Sequence, residues 1–137
     1  MPTEPSNAHR LSVLVVNDDR QAAESVAVQL RLAGFHASVA GGAVEALSEV
    51  RTRNPHAVLI DLAMEDMNGH ALARAIRVLP SQRRPVLLAL MGNRNETASH
   101  RTRVEGFRNC FVKPIDPTAL LTTLLDIEDE WPVETAN

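Results

Sequence analysis

The chain has 137 residues, 45% of them hydrophobic, which suffices for one core and one domain with short tails. Its formal net charge is −3, so no basic field points to nucleic acid, and the pairs Arg51/Arg53, Arg83/Arg84 and Arg101/Arg103 read as solvated faces. A single cysteine, Cys110, excludes an intrachain disulfide and a Cys-rich metal site, and no apolar run approaches the ~18 residues of a membrane span.

Residues 1–10 are polar and contain proline, with no apolar stretch of the kind a signal peptide needs. They read as a disordered lead-in, and a reducing, cytoplasmic setting is the expectation. Leu11-Ser12-Val13-Leu14-Val15-Val16 is nearly continuous and β-branched, as are Ala57-Val58-Leu59-Ile60 and Val86-Leu87-Leu88-Ala89-Leu90-Met91. Such runs suit strands buried on both faces of a parallel sheet. Phe35-His36-Ala37-Ser38-Val39 alternates and fits an edge strand; Asn109-Cys110-Phe111-Val112 fits the other edge.

Helical periods lie between the strands. Residues 20–33 place Ala23, Val26, Ala27 and Leu30 on one face and stop at Gly34. Residues 43–51 carry Val44, Leu47 and Val50, and residues 69–79 carry Leu72, Ala75, Ile76 and Leu79 before Pro80. Residues 95–106 are mostly polar, the weakest helical pattern. The last helix is predicted to start with Asp116 as N-cap and Pro117 at its first position, with Leu120, Leu121, Leu124 and Leu125 as its stripe. The globular part is expected over 11–128, with 129–137 a flexible acidic tail.

Strands alternating with helices over about 120 residues indicate a doubly wound α/β domain. Right-handed crossovers leave few topologies, and the common small one is a five-stranded parallel sheet of order 2-1-3-4-5 with helices on both faces. Ligands then bind at the C-terminal ends of strands 1 and 3, where the order reverses. Three strands end in charged groups: Asn17-Asp18-Asp19 after the first, Asp61 at the third, and Lys113, the only lysine in the chain, after the fifth. Carboxylates and one ammonium meeting at a sheet edge suit a metal ion and a phosphoryl group. The plain alternatives are that Asp18 and Asp19 cap the first helix, that Asp61 is a loop acid and that Lys113 is a surface lysine.

The motifs Val15-Val16-Asn17-Asp18-Asp19, Asp61-Leu62-Ala63-Met64-Glu65-Asp66-Met67-Asn68-Gly69 and Val112-Lys113-Pro114, in this order, resemble the receiver domain of bacterial two-component response regulators. The resemblance covers roughly residues 11–127 and implies a flavodoxin-like fold. It implies Asp61 as phosphoryl acceptor and Lys113 as its partner. It implies Mg²⁺ as the cofactor, held by Asp18, Asp61 and the carbonyl of Ala63, with Asn17 standing where the family has a second acid. It also implies a cis peptide before Pro114. A carboxylate can attack phosphorus, and an oxygen-liganded dication offsets the charge that gathers there.

Two further positions depart from the family. The Thr or Ser at the end of strand 4 falls at Met91, which cannot donate a hydrogen bond, and a charge-assisted bond of that kind is worth roughly 1.5–3 kcal/mol. The aromatic switch residue, three before the lysine, falls at Cys110. Cys110 reads as a small buried edge-strand thiol rather than a redox sensor. The five histidines, His9, His36, His56, His70 and His100, read as solvent-facing or locally capping.

The resulting expectation is a signalling receiver rather than an enzyme. A sensor histidine kinase or histidine phosphotransfer protein would phosphorylate Asp61, with output by docking to a downstream protein or by phosphate storage, and a homodimer would use the last strand and helix. The alternative is a pseudo-receiver, an adaptor that binds without phosphorylation. A metabolic enzyme is disfavoured, since no Gly-rich phosphate loop follows strand 1.

Overall fold

The computed structural model describes residues 11–63, 68–80, 84–92 and 106–131. The strands are β1 (Ser12–Val16), β2 (His36–Ala40), β3 (Ala57–Asp61), β4 (Val86–Met91) and β5 (Phe107–Val112). The helices are α1 (Arg20–Leu32), α2 (Ala43–Arg53), α3 (Gly69–Arg77) and α4 (Pro117–Glu130). All strands are parallel, in the order β2-β1-β3-β4-β5. The predicted lead-in over 1–10, most of the predicted helix over 95–106 and residues 132–137 of the predicted tail lie outside the described residues.

Two apolar layers sandwich the sheet. On one face Val13, Val15, Leu59, Leu88, Leu90 and Phe111 pack with Ala23 and Leu30 of α1 and Leu120, Leu124 and Ile127 of α4. On the other, Leu14, Val16, Val58, Ile60, Leu87 and Ala89 pack with Ala46 and Val50 of α2 and Leu72, Ala73 and Ile76 of α3. This two-sided burial is why β1, β3 and β4 read as continuous apolar runs.

Local signals set the helix ends. Asp19, Asn68 and Asp116 cap α1, α3 and α4 by accepting from the N–H groups of Ala22, His70 and Thr118. Pro117 opens α4 as expected. Gly34 follows α1 at φ 101°, a left-handed conformation that favours glycine.

Several expectations need correction. The buried stripe of α4 is Leu120, Thr123, Leu124 and Ile127, whereas Leu125 is 43% exposed. Positions i, i+3, i+4 and i+7 share one helix face, and Leu125 lies beyond its rim. The helix also runs on through Glu128-Asp129-Glu130, with Glu130 paired to Arg108 of β5. Cys110 is exposed, not buried. A register shift between Leu87 and Leu88 inserts an extra residue into β5, so Phe107 and Phe111 point into opposite layers. Cys110 thereby lands on the outer part of an edge strand. The histidines also differ from one another. His70 is 8% exposed and stands edge-on to Phe107, and half-buried His56 accepts from the Ser12 N–H through Nδ1 at 3.1 Å and stands edge-on to Trp131. His36 is exposed as expected; His9 and His100 lie outside the described residues.

Candidate functional site

Asp61 closes β3, a strand buried at every position, and is itself only 4% exposed. The parallel register brings it opposite Leu90 of β4, and β5 then delivers Lys113 just past Val112. The Lys113 N–H donates to the carbonyl of Met91 at 2.9 Å, which fastens the end of β5 beside β4. From there the Lys113 ammonium reaches Asp61 Oδ2 at 2.8 Å, and the Ala63 N–H donates to Asp61 Oδ1 at 2.9 Å. Both carboxylate oxygens thus have a fixed donor. The Lys113–Pro114 peptide is cis.

The loop after β1 forms the opposite wall. Asn17 is buried; its N–H donates to the Ala40 carbonyl at 3.1 Å, and its Oδ1 accepts from the Asp19 N–H at 2.9 Å. Asp19 accepts from the Ala22 N–H at 3.2 Å, so it does the capping work that the plain reading gave to both acids. Asp18, half-buried, lines a cavity of about 710 Å³ together with Asn17, Asp61, Ala63, Lys113 and Pro114. The floor of that cavity includes Leu59 and Leu90.

Met91 ends β4 and is buried, yet the β4 residue lining the cavity is Leu90. Cys110 lies one strand further out. The structure therefore gathers Asp18, Asn17, Asp61, Ala63 and Lys113 around one cavity and leaves Met91 and Cys110 outside its lining. Residues 64–67 of the second motif lie outside the described residues. Gly69 is described, and a Cβ there would come within 2.9 Å of Leu62 Cα. The start of α3 is pressed against the segment that follows Asp61, and only glycine permits that approach.

Sequence reading missed one further tie. Arg20 Nη2 lies 2.9 Å from Glu45 Oε1, and the same carboxylate oxygen accepts from the Gly41 N–H at 2.9 Å. The Gly41 N–H, assisted by the Arg20 guanidinium, holds Glu45 below the ordinary carboxylate range. This clamp joins the start of α1 to the β2–α2 turn beside the site. Its only signal was opposite charge at two points far apart in sequence.

The metal-ligand atoms that Asp18, Asp61 and Ala63 offer in the cavity lining are oxygens: two carboxylates and a backbone carbonyl. That set fits Mg²⁺, which is held through one or two carboxylates while keeping several waters. No group of three His, Cys, Asp or Glu side chains that could hold a metal is present among the described residues, in keeping with amide Asn17 in place of an acid. Among those residues no helix is long and apolar enough to cross a membrane.

Comparison with known proteins gives a concordant picture. The family model described as the response regulator receiver domain matches residues 13–125. The DNA-binding response regulator MtrA of Mycobacterium tuberculosis is 31% identical over 129 residues, spanning 91% of this chain but 55% of MtrA, so this chain spans about half the length of that relative. An uncharacterised 14.6 kDa protein of Leptolyngbya boryana is 30% identical over 112 residues, covering 82% of this chain and 86% of its own length. The CheY-like receiver domain from Methylobacillus flagellatus superposes with a TM-score of 0.75 at 32% identity, covering 87% of this chain and 99% of that one. The chain belongs to the response regulator receiver family, the signalling module that histidine kinases or phosphotransfer proteins address in two-component systems.

Proposed function

We propose that Asp61 accepts a phosphoryl group from a phosphohistidine of a sensor kinase or phosphotransfer protein. The observation that carries this reading is the 2.8 Å contact between Lys113 Nζ and Asp61 Oδ2 at the floor of an open, acid-walled cavity. A carboxylate oxygen of Asp61 attacks phosphorus and forms the P–O bond of an acyl phosphate. The P–N bond breaks, and its electron pair stays on the departing imidazole nitrogen. Lys113 orients the carboxylate beforehand and then pairs with a phosphoryl oxygen. Ala63 N–H holds the other carboxylate oxygen, so the acceptor does not need to reorient. Asp18, Asp61 and the Ala63 carbonyl are the groups that would hold Mg²⁺, which supplies positive charge against the crowding of carboxylate and phosphoryl oxygens. The module acts in the cytoplasm. Its output is docking of a downstream protein, phosphate storage, or pairing of two copies along β5 and α4.

The switch is atypical under this reading. Leu90, the β4 residue that stands opposite Asp61 and lines the cavity, offers no hydroxyl to the phosphoryl group, and exposed Cys110 offers no ring to move. These two positions, with Asn17, favour the competing reading of a pseudo-receiver that docks without phosphorylation. Intact mass after incubation with acetyl phosphate and Mg²⁺ separates the two. The expected result is one phosphoryl adduct in the wild type and none in Asp61→Asn. No adduct from that donor or from a phosphorylated histidine phosphotransfer protein would leave the pseudo-receiver reading.

A further inference from the structure

Asn17 presents the acceptor cavity with a hydrogen-bond donor. The residue is 6% exposed and lines the cavity. Its Oδ1 accepts from the Asp19 N–H at 2.9 Å, and only the oxygen of an amide can accept, so the orientation of the group is fixed. Nδ2 points away from that bond. Among the described residues it meets no acceptor, yet it is not sealed from solvent; it opens onto the cavity. The sheet register sets its place relative to Asp61. Val16 and Ile60 are partners across β1 and β3, so Asn17 and Asp61 are the next residues along the same two rows, with Cα atoms about 5 Å apart. Val16 and Ile60 pack into the layer of α2 and α3, and alternation turns Asn17 and Asp61 to the opposite side, where the cavity lies.

The loop alone does not call for an amide, because a carboxylate at position 17 would offer the Asp19 N–H the same oxygen. What the amide adds is an N–H₂ group facing the site. That polarity is wrong for a dication and for its bound waters, which turn their hydrogens outward and need acceptors. It suits a phosphoryl oxygen. A phosphoryl group on Asp61 carries three terminal oxygens. Lys113 reaches one from the β5 side. Asn17 stands on the β1 side, one strand from Asp61, and meets another. A hydrogen bond to a charged acceptor is the strong kind.

We propose that Asn17 Nδ2 donates to a phosphoryl oxygen on Asp61, so that transfer keeps a component that does not depend on a divalent cation. The inference rests on Asp61 being the acceptor. The test times adduct formation from acetyl phosphate by intact mass, with Mg²⁺ and with excess chelator, in the wild type, Asn17→Asp and Asn17→Ala. In this reaction Asp61 forms the new P–O bond, and acetate leaves with the electron pair of the old one. The wild type is expected to form the adduct under both conditions. Both variants should lose about tenfold or more of the chelated rate, the scale of one hydrogen bond to a charged group. Asn17→Asp should gain more from Mg²⁺ than the wild type does. In the wild type the side-chain amide protons of Asn17, identified by their absence from the Asn17→Asp spectrum, should move downfield as the adduct forms. Wild-type chelated rates in both variants would overturn the proposal and leave Asp61 the acceptor, as would a wild type that needs Mg²⁺ outright. A loss in Asn17→Asp alone would assign the effect to charge repulsion and also sink it. No adduct in any form under either condition would overturn the acceptor reading itself, and this proposal with it.

Discussion

Lys113 and Asp61 meet at 2.8 Å across 52 residues of chain, one side chain 39% exposed and the other 5%. The buried partner has more to lose from separation. Removing the ammonium leaves a buried carboxylate with, among the described residues, the Ala63 N–H as its remaining hydrogen-bond donor. Lys113→Ala is expected to destabilise the fold by about 1–3 kcal/mol, the range for a hydrogen bond to a charged group. In a double-mutant cycle, Lys113→Ala should cost little once Asp61→Ala is present. Additive losses in urea melts would show that the contact contributes nothing.

Asn17→Asp should strengthen Mg²⁺ binding about tenfold. The new carboxylate keeps an oxygen for the Asp19 N–H and adds charge a few ångströms from the cation, worth on the order of 1–2 kcal/mol at an intermediate effective dielectric. Calorimetric titration of both forms measures it. Unchanged or weaker affinity would place the metal against Asp19 rather than Asn17.

Phosphorylation of the wild type should disturb residues 106–112 little. A ligand shifts an equilibrium only through contacts that differ between the two states, and Leu90 in the cavity lining and Cys110 on β5 remove two of them. A lost bias of about 2 kcal/mol cuts a population shift roughly thirtyfold. Hydrogen exchange with and without a phosphoryl mimic is expected to show small changes that grow in Leu90→Thr/Cys110→Tyr. Large changes already present in the wild type would reveal another relay.

Gly69→Ala tests the seat of the acceptor loop. A Cβ placed 2.9 Å from Leu62 Cα meets backbone, which cannot swing away as a flexible side chain would. Overpacking of this sort costs about 1–3 kcal/mol. The shift should pass through Leu62 to Asp61 and slow phosphoryl transfer more than it weakens stability. Wild-type rates with wild-type melting would show that the loop yields freely.

The Arg20–Glu45 clamp gives a small, signed pH dependence. Glu45 is held below its ordinary carboxylate value, first by the Gly41 N–H and then by Arg20. A carboxylate depressed by folding stabilises above its unfolded pKa and loses that contribution as pH falls through the folded one. Glu45→Gln should therefore lower stability at neutral pH and match the wild type in acid. The side chains are 57% and 44% exposed, so the difference stays under about 1 kcal/mol. Thermal melts from neutral to acidic pH would show the two curves converging; a constant offset would exclude titration of Glu45 as the cause.

Much of this protein was legible from its sequence because the signals were local. Strands buried on both faces must be apolar throughout, so β1, β3 and β4 announced themselves, and the caps Asp19 and Asp116 marked helix starts. The motif order sufficed to name Asp18, Asp61 and Lys113 as neighbours. Tertiary structure decided the rest, because it depended on geometry between distant segments. The bulge in β5 reversed the facing of Phe107 relative to Phe111, and the edge position left Cys110 exposed. Helix phase exposed Leu125 and buried Thr123. His70 found Phe107 across the fold, and Glu45 found Arg20. A side chain's burial and partners follow from which surfaces the folded chain brings together, and a single sequence does not list those pairs.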